Sequence, residues 1–185
     1  EQSGLLVPKS DSFNHFSPMI SLAYAIGDDA SIYASVAEGF RSGGFNANSD
    51  TNYDSETVRT YEIGAKASLL NGKLNATGAI FHSQYLDYQG ADVINAIGLI
   101  ETAIVNPGEV EMQGFEFSAQ FSLSEQFSMG LSGHYIDTEF VKVSPSVPIY
   151  HLGDPVDYTP NYSYAFNVKY DFDWFFGAEG FALLD

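Results

Sequence analysis

The sequence predicts an all-β chain, an antiparallel up-and-down sheet of about eight strands that forms part of a transmembrane β-barrel. Three observations predict it. Apolar and polar residues alternate with the strand period of two, because successive side chains of a strand point to opposite faces. Tight turns and long polar connections take turns along the chain, which in an up-and-down meander places all the short turns at one end. The polar face of the alternating runs carries Ser, Gly, Ala, Asn, Thr and Gln rather than the Lys, Glu and Arg of a water-washed sheet.

The elements follow in order. Ile20, Leu22, Tyr24 and Ile26 share one face of a first run, which ends at Gly27-Asp28-Asp29. Ile32, Ala34 and Val36 share a face of the next run, and a Gly-, Asn- and Asp-rich connection then fills residues 41 to 57. From Thr60 the alternation has no break: Tyr61, Ile63, Ala65, Ala67 and Leu69 stand opposite Thr60, Glu62, Gly64, Lys66 and Ser68. Asn71-Gly72 is a strong hairpin signal, since both residues tolerate positive φ. Residues 74 to 89 alternate less cleanly, a long connection is expected over 90 to 101, and the apolar mixture of 90 to 105 is expected to be a loop segment folded against the sheet or a short helix. Phe115, Phe117, Ala119, Phe121 and Leu123 define another strand, followed by a turn at Ser124-Glu125-Gln126 and a strand face of Phe127, Met129 and Leu131. A polar connection over residues 141 to 159 leads to Tyr162, Tyr164, Phe166, Val168 and Tyr170; a turn is expected near Asp171 to Trp174, with a further strand opening at Phe176.

Composition narrows the class. With 7 Lys and Arg against 24 Asp and Glu in 185 residues, the net charge is −17, which disfavours nucleic acid as a partner. The absence of cysteine removes disulfides, thiolate metal sites and thiol nucleophiles. Aromatic residues make up 15% and charged residues 17%, too apolar for an acidic disordered tail and too little charged for an ordinary soluble surface. No apolar stretch reaches the roughly 18 residues a membrane helix needs, so a membrane would be crossed by strands.

Alternation alone fits a soluble sandwich as well as a barrel, because one hides its apolar face inside and the other turns it to lipid. The neutral polar face, strands near the ~9–11 residues that span a bilayer, and aromatics at strand ends such as Tyr24, Phe40, Tyr61, Phe127, Tyr135, Tyr162 and Tyr170 favour the barrel. A small closed outer-membrane barrel with an adhesive or structural role, and a soluble carbohydrate-binding sandwich, stay open as alternatives. The unfinished pattern from Phe176 onward, with no signal segment at the start and no terminal aromatic, leads to the expectation that residues 1–185 are one piece of a larger barrel.

The segment from Ser31 to Asn46, reading Ser-Ile-Tyr-Ala-Ser-Val-Ala-Glu-Gly-Phe-Arg-Ser-Gly-Gly-Phe-Asn, closely resembles a stretch of the barrels of TonB-dependent outer-membrane receptors. Tyr53-Asp54, Glu56-Thr57, Tyr61-Glu62-Ile63-Gly64-Ala65-Lys66, Asn71-Gly72-Lys73-Leu74, Phe81, Tyr85, Asn106-Pro107-Gly108 and Gly114-Phe115-Glu116 follow in similar order. The resemblance implies a bacterial outer-membrane location and a 22-stranded barrel with a plug in its lumen. It also implies uptake of a scarce ligand such as a ferric siderophore, with energy delivered by TonB. The plug and the segment that meets TonB are not in this chain, which is expected to contribute wall, lumen lining and external loops. Lipid and lipopolysaccharide are the expected surroundings.

No residue set here points to catalysis, a cofactor or a resident metal. Asn46, Asn48, Asp50, Asn52, Asp54 and Glu56 recur at every second position, a spacing like that of oxygen-ligand calcium loops, but Thr51 and Thr57 stand where such loops need Gly and Glu. A solvated polar loop is the plainer reading. His15, His82, His134 and His151 are too scattered for a metal or triad pattern, and Glu62 and Glu116 have no evident partner. Arg41, alone at a strand-to-loop junction, reads either as an interfacial anchor or as a contact for an anionic ligand.

Overall fold

The computed structural model describes residues 10–46, 51–96, 99–173 and 175–185. Eight strands form a single antiparallel sheet: β1 (Met19–Ile26), β2 (Ala30–Arg41), β5 (Glu56–Leu69), β6 (Leu74–Ala96), β7 (Leu99–Ser122), β8 (Phe127–Val143), β9 (Tyr162–Asp173) and β10 (Glu179–Leu184). Two short strands, β3 (Gly44–Phe45) and β4 (Asn52–Tyr53), pair with each other inside the first long connection. Every neighbour in the sheet is also the next long strand in sequence, and β1 and β10 are its two outer edges.

Through the middle of the sheet the registers carry the alternation from strand to strand. One row runs Leu22, Ala34, Ile63, Ile80, Phe115, Tyr135, Tyr162, each the direct cross-strand partner of the next. A shift of one residue in any pair would send its apolar set to the other face, so the pattern itself specifies the pairing. Leu22 is 75% exposed and Ile63 60% exposed, and no second layer covers them among the described residues. That disposes of the sandwich, whose apolar face must be covered. The unpaired edges at β1 and β10 likewise leave this stretch of sheet unclosed.

Two sequence expectations need correction. Residues 90 to 96 and 99 to 101 are neither loop nor helix but the upper part of a long β6–β7 hairpin, whose strands have 23 and 24 residues; its tip at 97–98 lies outside the described residues. Two register shifts, between Tyr85 and Tyr88 and between Tyr88 and Gly90, separate this part from the regular ladder below, and from Gly90 opposite Val105 the pairing is again one-to-one. Asp87 takes a positive φ of 53° at this bulge. The turn expected near Asp171 to Trp174 falls later, since β9 runs to Asp173 and a 3₁₀ turn occupies Phe175–Gly177.

β5 ends its pairing with β6 at Thr57 opposite Leu86, so the hairpin above Leu86 projects past the wall. A small apolar core sits at this end of the polar face. Val110, Phe140 and Val156 are buried there, with Tyr85, Tyr88, Val143 and Tyr150 packed around them. Tyr88 meets Phe140 edge-on at 5.8 Å and Tyr150 meets it at 5.0 Å between ring centroids. The connection from 144 to 161 reaches this core by running back along the upper edge of β8, where Phe140 N–H donates to Asp154 O, Gly153 N–H to Phe140 O and Ile136 N–H to Asn161 O. Val156 N–H finds the Thr138 hydroxyl at 2.9 Å.

Candidate functional site: a recess at the mouth of the sheet

The hairpin, the connection 144–161 and the top of β2 enclose a recess of about 610 Å³, whose lining includes Arg41, Tyr88, Gln89, Tyr150, Asp157 and Tyr158. That volume is in the range of small-molecule pockets. Arg41 reaches it because odd-numbered residues of β2 lie on the polar face, Arg41 directly opposite Glu56 of β5. The register therefore turns Arg41 away from the apolar face, where an interfacial anchor would stand. Tyr150 donates its hydroxyl to Ala91 O at 2.7 Å, and burial holds its phenol above the ordinary value, so it stays a neutral donor. Tyr158 is fully exposed with a φ of 59°, a conformation unusual for an aromatic residue.

Three side-chain amides fasten the chain around the recess, and of these Gln89 also lines it. Asn46 pairs with the backbone of Ile104 like a neighbouring strand, its Nδ2 donating to Ile104 O at 2.9 Å and its Oδ1 accepting from Ile104 N–H at 2.8 Å. Gln89 is buried; its Nε2 donates to Ser42 O and Asp54 O, and its backbone N–H donates to the Glu56 carboxylate at 2.7 Å. Asn106 accepts from Asp54 N–H and donates to Asp54 O and Asp87 O. These amides give hydrogen-bond partners to backbone groups that lie outside the sheet ladder, and so fasten irregular chain to the hairpin.

The acidic alternation from Asn46 thus has a structural use where it is described. Asn46, Asp54 and Glu56 are held by the hairpin rather than converging on a point, Asn48 and Asp50 lie outside the described residues, and no group of three or more His, Cys, Asp or Glu could hold a metal among the described residues. The histidines are dispersed: His15 stacks on Phe40 at 4.6 Å and meets Glu38, His82 joins Tyr61 in register on the apolar face, His134 lies on the polar face, and His151 bonds Asp154. Lower on the polar face, a recess of about 460 Å³ collects Tyr33, Lys66, Glu116 and His134. Glu62 lies near Tyr33, and Lys66 Nζ lies 5.6 Å from the Tyr33 ring centroid. Glu62 therefore has a neighbour that the sequence did not show.

Gln89, Tyr88 and Tyr150 carry no motif that sequence reasoning could have used. Asn106 stood in the quoted Asn106-Pro107-Gly108 run, whose physical content appears only here. Pro107 is fully buried, its carbonyl accepts from Ser144 N–H at 2.6 Å, and Gly108 has a φ of 150° with its α-carbon against the Lys142 carbonyl.

Comparison with known proteins agrees with this architecture. The family model described as TonB dependent receptor-like, beta-barrel, matches residues 2–183. The metal-pseudopaline receptor CntO of Pseudomonas aeruginosa is 32% identical over 125 residues, covering 68% of this chain and 17% of that protein. The pesticin receptor of Yersinia enterocolitica is 25% identical over 165 residues, 86% of this chain and 23% of that protein. Among solved structures, the ferric yersiniabactin uptake receptor FyuA from Yersinia pestis aligns at a TM-score of 0.68 with 21% identity, over 85% of this chain and 23% of that one. This chain thus spans about a fifth of the length of such proteins, which are receptors and not enzymes. It belongs to the TonB-dependent receptor β-barrel family of the Gram-negative outer membrane.

Proposed function

We propose that the chain supplies wall, lumen lining and external mouth to a receptor that actively takes up a scarce ligand such as a ferric siderophore, driven by TonB through a plug beyond residues 1–185. The observation that carries this reading is the mouth recess, which opens above a neutral polar lumen and combines one guanidinium with the phenols of Tyr88, Tyr150 and Tyr158. Relatives support it by their names, among them a probable TonB-dependent siderophore receptor, PiuA, of Acinetobacter baumannii, 29% identical over 125 residues. A plug seated in the lumen would meet the Tyr33, Glu62, Lys66 and Glu116 patch.

Arg41 is the ligand contact in this reading. The connections over 42–57, 90–101 and 143–161 contain no Lys or Arg, so an anionic group entering this sector has Arg41 alone to meet. A hydrogen bond to a charged group contributes about 1.5–3 kcal/mol, so Arg41→Ala in the full-length receptor is expected to weaken an anionic ferric chelate about tenfold or more. Fluorescence quenching with ferric hydroxamate and ferric catecholate chelates measures it. Unchanged affinity for every chelate that binds the wild type would dismiss Arg41 from the site.

The outer rim suits the other proposed partner, lipopolysaccharide bridged by divalent cations. Glu111 and Glu139 face each other across β7 and β8, while Arg59 and Lys142 are already engaged by Glu38 and Glu109. Chelating divalent cations is expected to lower the unfolding temperature of the receptor in lipopolysaccharide bilayers but not in phosphatidylcholine; equal shifts in both would refute the bridge.

A further inference from the structure

We propose that the three external arms at this mouth open and close as one cooperative unit, with Asn106-Pro107-Gly108 as its keystone. The arms are the described parts of the first connection (42–46 and 51–55), the hairpin above Leu86, and the connection 144–158. The inference does not depend on which ligand the receptor takes.

Each arm is tied to the keystone, and the arms are tied to one another. Asn106 binds the first connection through both backbone groups of Asp54 and binds the hairpin bulge through Asp87 O. Pro107 binds the last connection through Ser144 N–H, and its ring packs over Gly90 beside the Tyr150 hydroxyl. Gly108 seats the β7 backbone against that of Lys142 on β8. Independent ties run between arms: Gln89 to Ser42 and Asp54, Asn46 to Ile104, and Tyr150 to Ala91. The apolar contacts of Tyr88 with Phe140 and of Phe140 with Tyr150 then pin the hairpin and the last connection to β8.

Separate loops would exchange their amide protons independently, because each would open at its own free energy. Here no arm can leave without breaking hydrogen bonds or ring contacts that it shares with another. Gln89, for instance, sits on the hairpin yet satisfies two carbonyls of the first connection. A contact made at one side of the recess is therefore felt at the other, and the mouth presents a preformed wall.

The test perturbs one arm and reads another by hydrogen exchange on the full-length receptor in nanodiscs. Tyr150→Phe removes one hydroxyl from the last connection, and amides at 51–55, which Tyr150 does not touch, are expected to exchange several-fold faster. Asn106→Ala is expected to speed amides at 144–158 about tenfold through loss of the shared unit. The strand amides of 61–67 should be unchanged in both variants. Acceleration confined to the arm carrying the substitution overturns the proposal, and Tyr150→Phe alone decides it if Asn106→Ala does not fold.

Discussion

Gly108→Ala is expected to destabilise the folded receptor by about 3 kcal/mol, the largest effect of any single methyl group added to this chain. Two costs combine at this position. A φ of 150° lies where L side chains are strained, and the added Cβ would collide with the backbone carbonyl of Lys142. Backbone cannot swing aside as the end of a side chain can, so β7 and β8 must separate where the bulge between Glu109 and Val110 already interrupts their register. Gly72→Ala is the control. Gly72 has a φ of 82°, but nothing lies within 4 Å of its added Cβ, so only conformational strain of about 1 kcal/mol is expected. Thermal unfolding in detergent measures both, and equal losses would show that the close approach at Gly108 contributes nothing.

A charge on the outer wall is the second large effect. Ile63 is 60% exposed within a row that includes Ile80 and Phe115, so Ile63→Arg places a guanidinium in hydrocarbon. The expected cost is about 2–4 kcal/mol if this row lies near the bilayer midplane. Ser118→Arg puts the same group on the opposite face, beside the polar recess that already holds Lys66 and Glu116, and is expected to change stability by less than about 1 kcal/mol. Folding equilibria into lipid vesicles distinguish the two. Equal penalties would mean that both faces meet the same environment, which a barrel wall does not allow.

Much of the wall was legible in the residues because sheet periodicity is local. Tyr61 to Leu69 and Tyr162 to Tyr170 display their faces without any knowledge of partners, and Asn71-Gly72 announces its turn by the φ values it tolerates, which are 56° and 82° in the fold. The hairpin beyond Leu86 was not legible. Its register shifts between Tyr85 and Gly90 cut it off from the alternation below, and residues 90–105 mix apolar and polar side chains without a period of two, so strand looked like loop. The site was hidden for a different reason. Gln89 and Tyr150 act through partners 35 and 59 residues away, Asp54 and Ala91, and no spacing rule connects positions so remote.

What the sequence determined by itself was an all-β chain of alternating strands with one apolar and one polar face, joined by short turns and long polar connections, and a net charge of −17. Those properties are summed over residues or repeated along strands, so they survive without a fold. Only the tertiary structure decided that Arg41 lines a recess rather than an interface, that the Asn- and Asp-rich connection is fastened by the hairpin, and that Asn106-Pro107-Gly108 joins three arms. The reason is that an amide side chain satisfying a distant carbonyl, or a glycine permitting two backbones to touch, has energetic meaning only once the distant chain has arrived.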